Sequence, residues 1–250
     1  MEKNTGETIK NSITEALKGT TEAAVGIIDV VSANIVKALE GARNVQIAVS
    51  SVVGGAISIV IKAAGAIGAD LTTVTKNSII GAIKGVHEVG TVTADMIRDA
   101  VHGAVKASAE IGGDVGSVTK SAIVGAIKGT RDITVSSEEA AAEAARGAIR
   151  AVSEVGADAG VAAKNAVKGA IGGVAEASGR LPAVIKNTSR GLVLEASQLG
   201  GDVATIAKNA VVGASVPRQS TGEMRVGPSE SAYRSWLQTT VSCCDKESWW

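Results

Sequence analysis

Aliphatic and polar positions recur along this chain with a period of 22 residues, and alternate copies match best at 44. Gly81-Ala82-Ile83-Lys84-Gly85 returns as Gly125-Ala126-Ile127-Lys128-Gly129 and again as Gly169-Ala170-Ile171-Gly172-Gly173. Halfway between stand Gly103-Ala104-Val105-Lys106 and Gly147-Ala148-Ile149-Arg150. Ten units lie end to end, beginning at Lys10, Ser32, Gly54, Lys76, Arg98, Lys120, Ala142, Lys164, Lys186 and Lys208. With the first residue of a unit as position 0, Ile or Val favours 3, 7, 13, 17 and 20, and small residues hold 2 and 6. Lys or Arg favours 0 and 8, and Glu recurs at 12 as Glu22, Glu88, Glu110, Glu154 and Glu176. At about 100° per residue the charged positions gather on one half of a helical wheel and the aliphatic ones on the other. The β-branched content alone would suit strands, but spacing by threes and fours predicts helices.

Punctuation marks where the helices stop. Gly68, Gly90, Gly112, Gly156 and Gly200 share position 14, and in alternate units Asp70, Asp114, Asp158 and Asp202 follow two residues later. Glycine suits the residue just past a helix, and aspartate suits the N-cap of the next. Other joints vary. Ser136-Ser137-Glu138-Glu139 is a good start signal, Thr91-Val92-Thr93-Ala94-Asp95 a weaker one, and Leu181-Pro182 a break. The pattern therefore predicts an all-α fold of tandem 44-residue helical hairpins in a solenoid or bundle-like array, with helices of roughly 16–19 residues. A rival geometry uses the same numbers. Twenty-two is twice eleven, and an 11-residue period suits one long helix with a right-handed supercoil. Interior glycines, at about 1 kcal/mol each relative to Ala, weigh against it.

Composition divides the 250 residues. Residues 1–9 are a polar lead-in, 10–216 the array of ten units or about five pairs, and 217–250 a non-repeating tail expected to be disordered. Hydrophobic residues make up 45%, enough to exclude wholesale disorder of the array. Aromatics are only 2%, Phe is absent, and Tyr233, Trp236, Trp249 and Trp250 all stand in the tail. The array must therefore pack through Ala, Val, Ile and Gly, which reward close approach. The period stops in mid-unit at Val216-Pro217, which marks either a linker with a small tail module or a shifted reading frame. The polar N-terminus lacks a secretory apolar run, so a cytoplasmic location is expected, with membrane association possible.

Candidate chemistry is sparse. The Gly-x-x-x-Gly pairs Gly81/Gly85, Gly125/Gly129 and Gly169/Gly173, with Gly103 and Gly147, offer bare patches for helix packing within or between chains. Gly112, Asp114, Gly156, Asp158, Gly200 and Asp202 read as structural joints. They also explain a phosphate-loop look-alike at Gly112–Lys120, which lacks the Gly-Lys-Ser/Thr ending. The stretch 44–61 carries no charge and reads as a buried helix or a membrane contact. His87 and His102 lack metal-ligand spacing and are expected at the surface or rim, and Cys243-Cys244 reads as incidental. Lys84/Glu88, Lys106/Glu110 and Arg150/Glu154 are expected to pair within their helices on a solvated face. No nucleophile–base constellation recurs, so no enzyme, cofactor or metal is expected. Twenty-five basic residues balance twenty-five acidic ones, which gives no case for nucleic acid.

Segments such as Val74-Thr75-Lys76-Asn77-Ser78-Ile79-Ile80-Gly81-Ala82 and Val118-Thr119-Lys120-Ser121-Ala122-Ile123-Val124-Gly125-Ala126 resemble the 11/22-residue amphipathic repeats of perilipins, synucleins and exchangeable apolipoproteins. The Ala/Val helical character is similar to that of granule-coating phasins. This resemblance implies a coat on a membrane, lipid droplet or storage granule. The residues themselves favour a structural or scaffolding repeat protein that self-associates into a homo-oligomer or filament through small-residue helix faces. The lipid-surface coat is the alternative.

Overall fold

The computed structural model describes residues 23–40, 45–177 and 180–215. Expectations for the lead-in, for residues 10–22 of the unit beginning at Lys10 and for the 217–250 tail with its cysteines lie outside the described residues. Within them the chain is helical, without strands. The helices are α1 (Ala23–Glu40), α2 (Val45–Ala66), α3 (Leu71–Val89), α4 (Ala94–Glu110), α5 (Val115–Gly129), α6 (Ser137–Val155), α7 (Ala159–Ala177), α8 (Leu181–Gln198) and α9 (Val203–Ala214).

The rival single helix is excluded, and the joints show why. Gly68, Gly112, Gly156 and Gly200 adopt φ of 70°, 71°, 67° and 69°, a left-handed conformation that side chains with a Cβ resist. The next amides, those of Ala69, Gly113, Ala157 and Gly201, donate back to the carbonyls of Ala64, Ser108, Val152 and Ala196. That closes a Schellman turn and satisfies a carbonyl at the helix end. One residue further on, an aspartate opens the following helix. Asp70 accepts from the amides of Thr72 and Thr73, Asp114 from Gly116 and Ser117, Asp158 from Gly160 and Val161, and Asp202 from Thr205.

The intervening joints use other devices. Gly90 is extended rather than left-handed, Thr93 caps through the Met96 amide, and Ser136 through the Glu139 amide. Pro182 does not interrupt a helix. It stands in the first turn of α8, where its missing N–H costs nothing.

Each helix packs most extensively on the helix after next, and less on its chain neighbours. One row is therefore α1, α3, α5, α7 and α9, and a second is α2, α4, α6 and α8. Between them lies a core of small aliphatic side chains. In α6, Ala140, Ala141, Ala144, Ala145, Ala148 and Ala151 are all fully buried, with isoleucines such as Ile79, Ile83, Ile123 and Ile127 filling the larger spaces. The uncharged stretch forms most of α2, which buries Val53, Ile57, Val60, Ile61 and Ala64 and leaves Gly55 exposed. No described helix is long and apolar enough to cross a membrane.

Candidate functional site

The most regular constellation is a pair of glycine seams, one per row. A Cβ on Gly125 of α5 would stand 2.7 Å from the carbonyl oxygen of Lys76 in α3 and 3.3 Å from the Cβ of Ile79. The same relationship, 49 positions apart, sets Gly169 of α7 on Lys120 of α5 and Gly213 of α9 on Lys164 of α7. In the second row it sets Gly103 of α4 on Gly54, Gly147 of α6 on Arg98, and Gly191 of α8 on Ala142. Each glycine of this set thus lets one backbone rest on another, with Cα–H groups facing carbonyls. Gly129 and Gly173, the second members of their pairs, rest instead on the side chains of Ile83 and Ile127. The glycines expected to mediate packing are therefore engaged within the chain. Gly54, Gly191 and Gly213 belong with them, and Gly191 and Gly213 could have been found by carrying position 5 through the last two units.

The first contact of the series departs from this register. Gly81 faces the carbonyl of Ile28 and the Cβ of Val31, and Gly85 faces Ser32. Ile28 takes the place held elsewhere by Lys76 and Lys120, so the unit in α1 is phased from Ile28 and not from Ser32. The difference is four residues, about one helical turn. A slip of one turn keeps the same face inward, which is why the wheel does not reveal it.

A charged ridge runs over the second row. Lys62 of α2 pairs with Glu110 of α4 at 2.7 Å, and Lys106 of α4 pairs with Glu154 of α6 at 2.7 Å. Arg98 reaches Glu143 of α6 at 3.2 Å and Asp95 in its own helix. Glu143 also accepts from Arg146, whose Nε donates to Glu195 of α8 at 3.0 Å. Arg150 stands 3.4 Å from the other Glu195 oxygen. These contacts correct the expected pairing within helices. Lys106 and Arg150 engage carboxylates of the next helix in the row in place of Glu110 and Glu154. Of the two histidines expected at the surface or rim, His102 is half-buried with Nε2 3.1 Å from Glu154, and His87 is exposed. The hydrogen bond from Lys106, aided by His102, holds the Glu154 carboxyl below its usual range, and Lys62 does the same for Glu110.

Where α2 begins the ridge it is thin. Gly54 and Ser58 occupy the places of Arg98 and His102, and a cleft of about 370 Å³ opens there, bordered by Lys62, Asp99, His102 and Lys106. Its basic and acidic groups are largely spent on one another. Among the described residues no group of three or more His, Cys, Asp or Glu could hold a metal ion. The joint residues Gly112, Asp114, Gly156, Asp158, Gly200 and Asp202 are engaged as turn and cap. Hydrogen bonds from Thr72 and Thr73 lower the Asp70 pKa to about 2, and Ser117 and Thr205 lower those of Asp114 and Asp202. No family model matches the chain, and no curated protein matches it in sequence.

Proposed function

We propose that the chain is a non-enzymatic scaffold: an α-solenoid of tandem helical hairpins that self-associates end to end through small-residue helix faces. One observation carries this reading. The register that seats each glycine on a carbonyl 49 positions earlier comes next to Lys186 in α8 and Lys208 in α9, and no described glycine rests there. Around those positions apolar side chains are half-exposed. Ala207 and Val211 are the cognates of Ala163 and Val167, which are fully buried, and Ile185 is the cognate of the buried Ile97 and Ala141. Stacked repeats without a polar end face gain by adding another, and a second copy supplies one.

Light scattering over a concentration series, with circular dichroism in the absence of lipid, tests the proposal. A fully helical protein whose mass grows with concentration is expected, and Val211→Glu returns it to a helical monomer. A helical monomer at every concentration overturns self-association. A disordered chain that becomes helical only on vesicles overturns the scaffold and establishes the lipid-surface coat instead.

A further inference from the structure

The two rows carry their charge differently. In the second row the arginines and lysines described above are matched by carboxylates of neighbouring helices. In the first row Lys76, Lys84, Lys120, Lys164, Lys168 and Lys208 make no ion pair with a described residue. Helices α5 and α9 contain no acidic residue, and α3 and α7 contain one each, Glu88 and Glu176, near their C-terminal ends. The Asp caps lie at the helix N-termini, where backbone and hydroxyl donors engage them, six residues before the nearest lysine.

Within each of these helices the lysines share one face. Positions 0, 4 and 8 fall within roughly 80° of one another, so Lys76, Ile80 and Lys84 align in α3 and Lys120, Val124 and Lys128 in α5. Helices of one row stand about 8–10 Å apart, which lays these files side by side. Lys128 is pushed below its usual pKa by burial and by the nearby Lys76. Apolar side chains sit among the lysines: Ile80 and Val124 are half-exposed, Val161 is 45% exposed and Val212 is 42% exposed.

We infer that this first-row face docks on an anionic lipid membrane. Lysines interleaved with Val and Ile suit the boundary between anionic headgroups and acyl chains, where both kinds of side chain find a partner. A nucleic-acid phosphate backbone has no use for the valines, and the described residues hold no Phe, Tyr or Trp ring on which bases could stack. The docking face is distinct from the aliphatic faces that form the core, so the protein binds as a folded array without unpacking. This inference is independent of self-association, which uses the ends of the rows.

Flotation with phosphatidylcholine vesicles, with and without phosphatidylserine, tests it on the full chain. Binding is expected only with phosphatidylserine and is lost at high salt. The variant Lys76→Gln/Lys84→Gln/Lys120→Gln/Lys164→Gln loses on the order of 100-fold in affinity at unchanged helicity. The same four positions changed to Arg retain binding, as does Lys62→Gln in the second row. Equal binding to both vesicle types, no binding to either, or full binding by the folded Gln variant overturns the inference. So does tighter binding to a random-sequence DNA duplex than to the anionic vesicles at the same salt. Failure here leaves the oligomer measurement untouched, and failure of self-association leaves vesicle binding intact.

Discussion

Gly125 lies against the carbonyl of Lys76, so close that a methyl group at Gly125 would stand 2.7 Å from that oxygen. The obstacle is backbone, which cannot rotate aside. Gly125→Ala is therefore expected to destabilise the protein by about 1–3 kcal/mol, since the two helices must move apart. Gly172→Ala in α7 is the matched comparison. Its Cβ would meet only Val124 Cγ2 at 3.8 Å, and the helix gains up to about 1 kcal/mol. Urea unfolding of the two variants should show shifts of opposite sign. Gly125→Leu with Gly129→Leu should unfold the array itself and not merely dissociate it.

The left-handed joints behave differently. A Cβ at Gly112 or Gly156 meets nothing within 4 Å, so the whole cost of substitution is conformational. Gly156→Ala should cost about 1–2 kcal/mol, and Gly156→Asn noticeably less, because Asn tolerates the left-handed region. Thermal melts that rank the two variants equally would contradict the assignment of strain to φ.

Asp70 links stability to pH. Its folded pKa, about 2, lies below the ordinary aspartate value of 3.8, because Thr72 and Thr73 donate to the carboxylate. A depressed folded pKa contributes stability that is present above the unfolded value and is lost as pH falls through the folded one. The contribution should therefore fade between about pH 4 and pH 2. At neutral pH, Asp70→Ala is expected to cost about 1 kcal/mol, as for other N-caps. The melting temperatures of wild type and variant should converge as pH falls across that window.

Glu195 is 1% exposed and is held between Arg146 and Arg150. Glu195→Ala leaves the Arg146 Nε without its acceptor, while Glu143 and Gln198 keep the other guanidinium nitrogens. Because Arg146 is itself 24% exposed, water relieves part of the loss, and about 2 kcal/mol is expected, below the cost of breaking a fully buried pair. Arg146→Met with Glu195→Met should cost less than the sum of the single changes. Additivity in urea unfolding would show that the pair is not coupled.

Much of this architecture is legible in the sequence because the joint residues are chemically singular. Glycine at a left-handed turn and aspartate at an N-cap have few substitutes, so Gly112 with Asp114 announces a corner wherever it recurs. The ion pairs are less legible. Lys106 and Glu110 share a helical face, and nothing local says that Glu154, 48 positions away, comes nearer to the lysine. The slip at α1 is hidden for a similar reason, since Ile28 and Ser32 lie one turn apart on one face and only the shape of α3 chooses between them. The separation of charge between the rows is written in positions 0 and 1 of alternate units: Lys76, Lys120, Lys164 and Lys208 stand at 0 in the first row, and Asp99 and Glu143 stand at 1 in the second. It becomes visible only once alternate helices are known to be neighbours.

Because successive helices alternate between rows, every helix has a parity. Loss or gain of 44 residues moves each later helix two places and leaves its parity unchanged: Lys164 would follow Thr119 in the same row, with its seam glycine still 49 positions from a carbonyl. Loss of 22 residues reverses the parity of all that follows. Lysine-bearing helices would then enter the ion-paired row and face partners built for arginine and glutamate, and corners with left-handed glycines would fall where extended ones belong. Variation in the length of this protein should therefore come in whole hairpins.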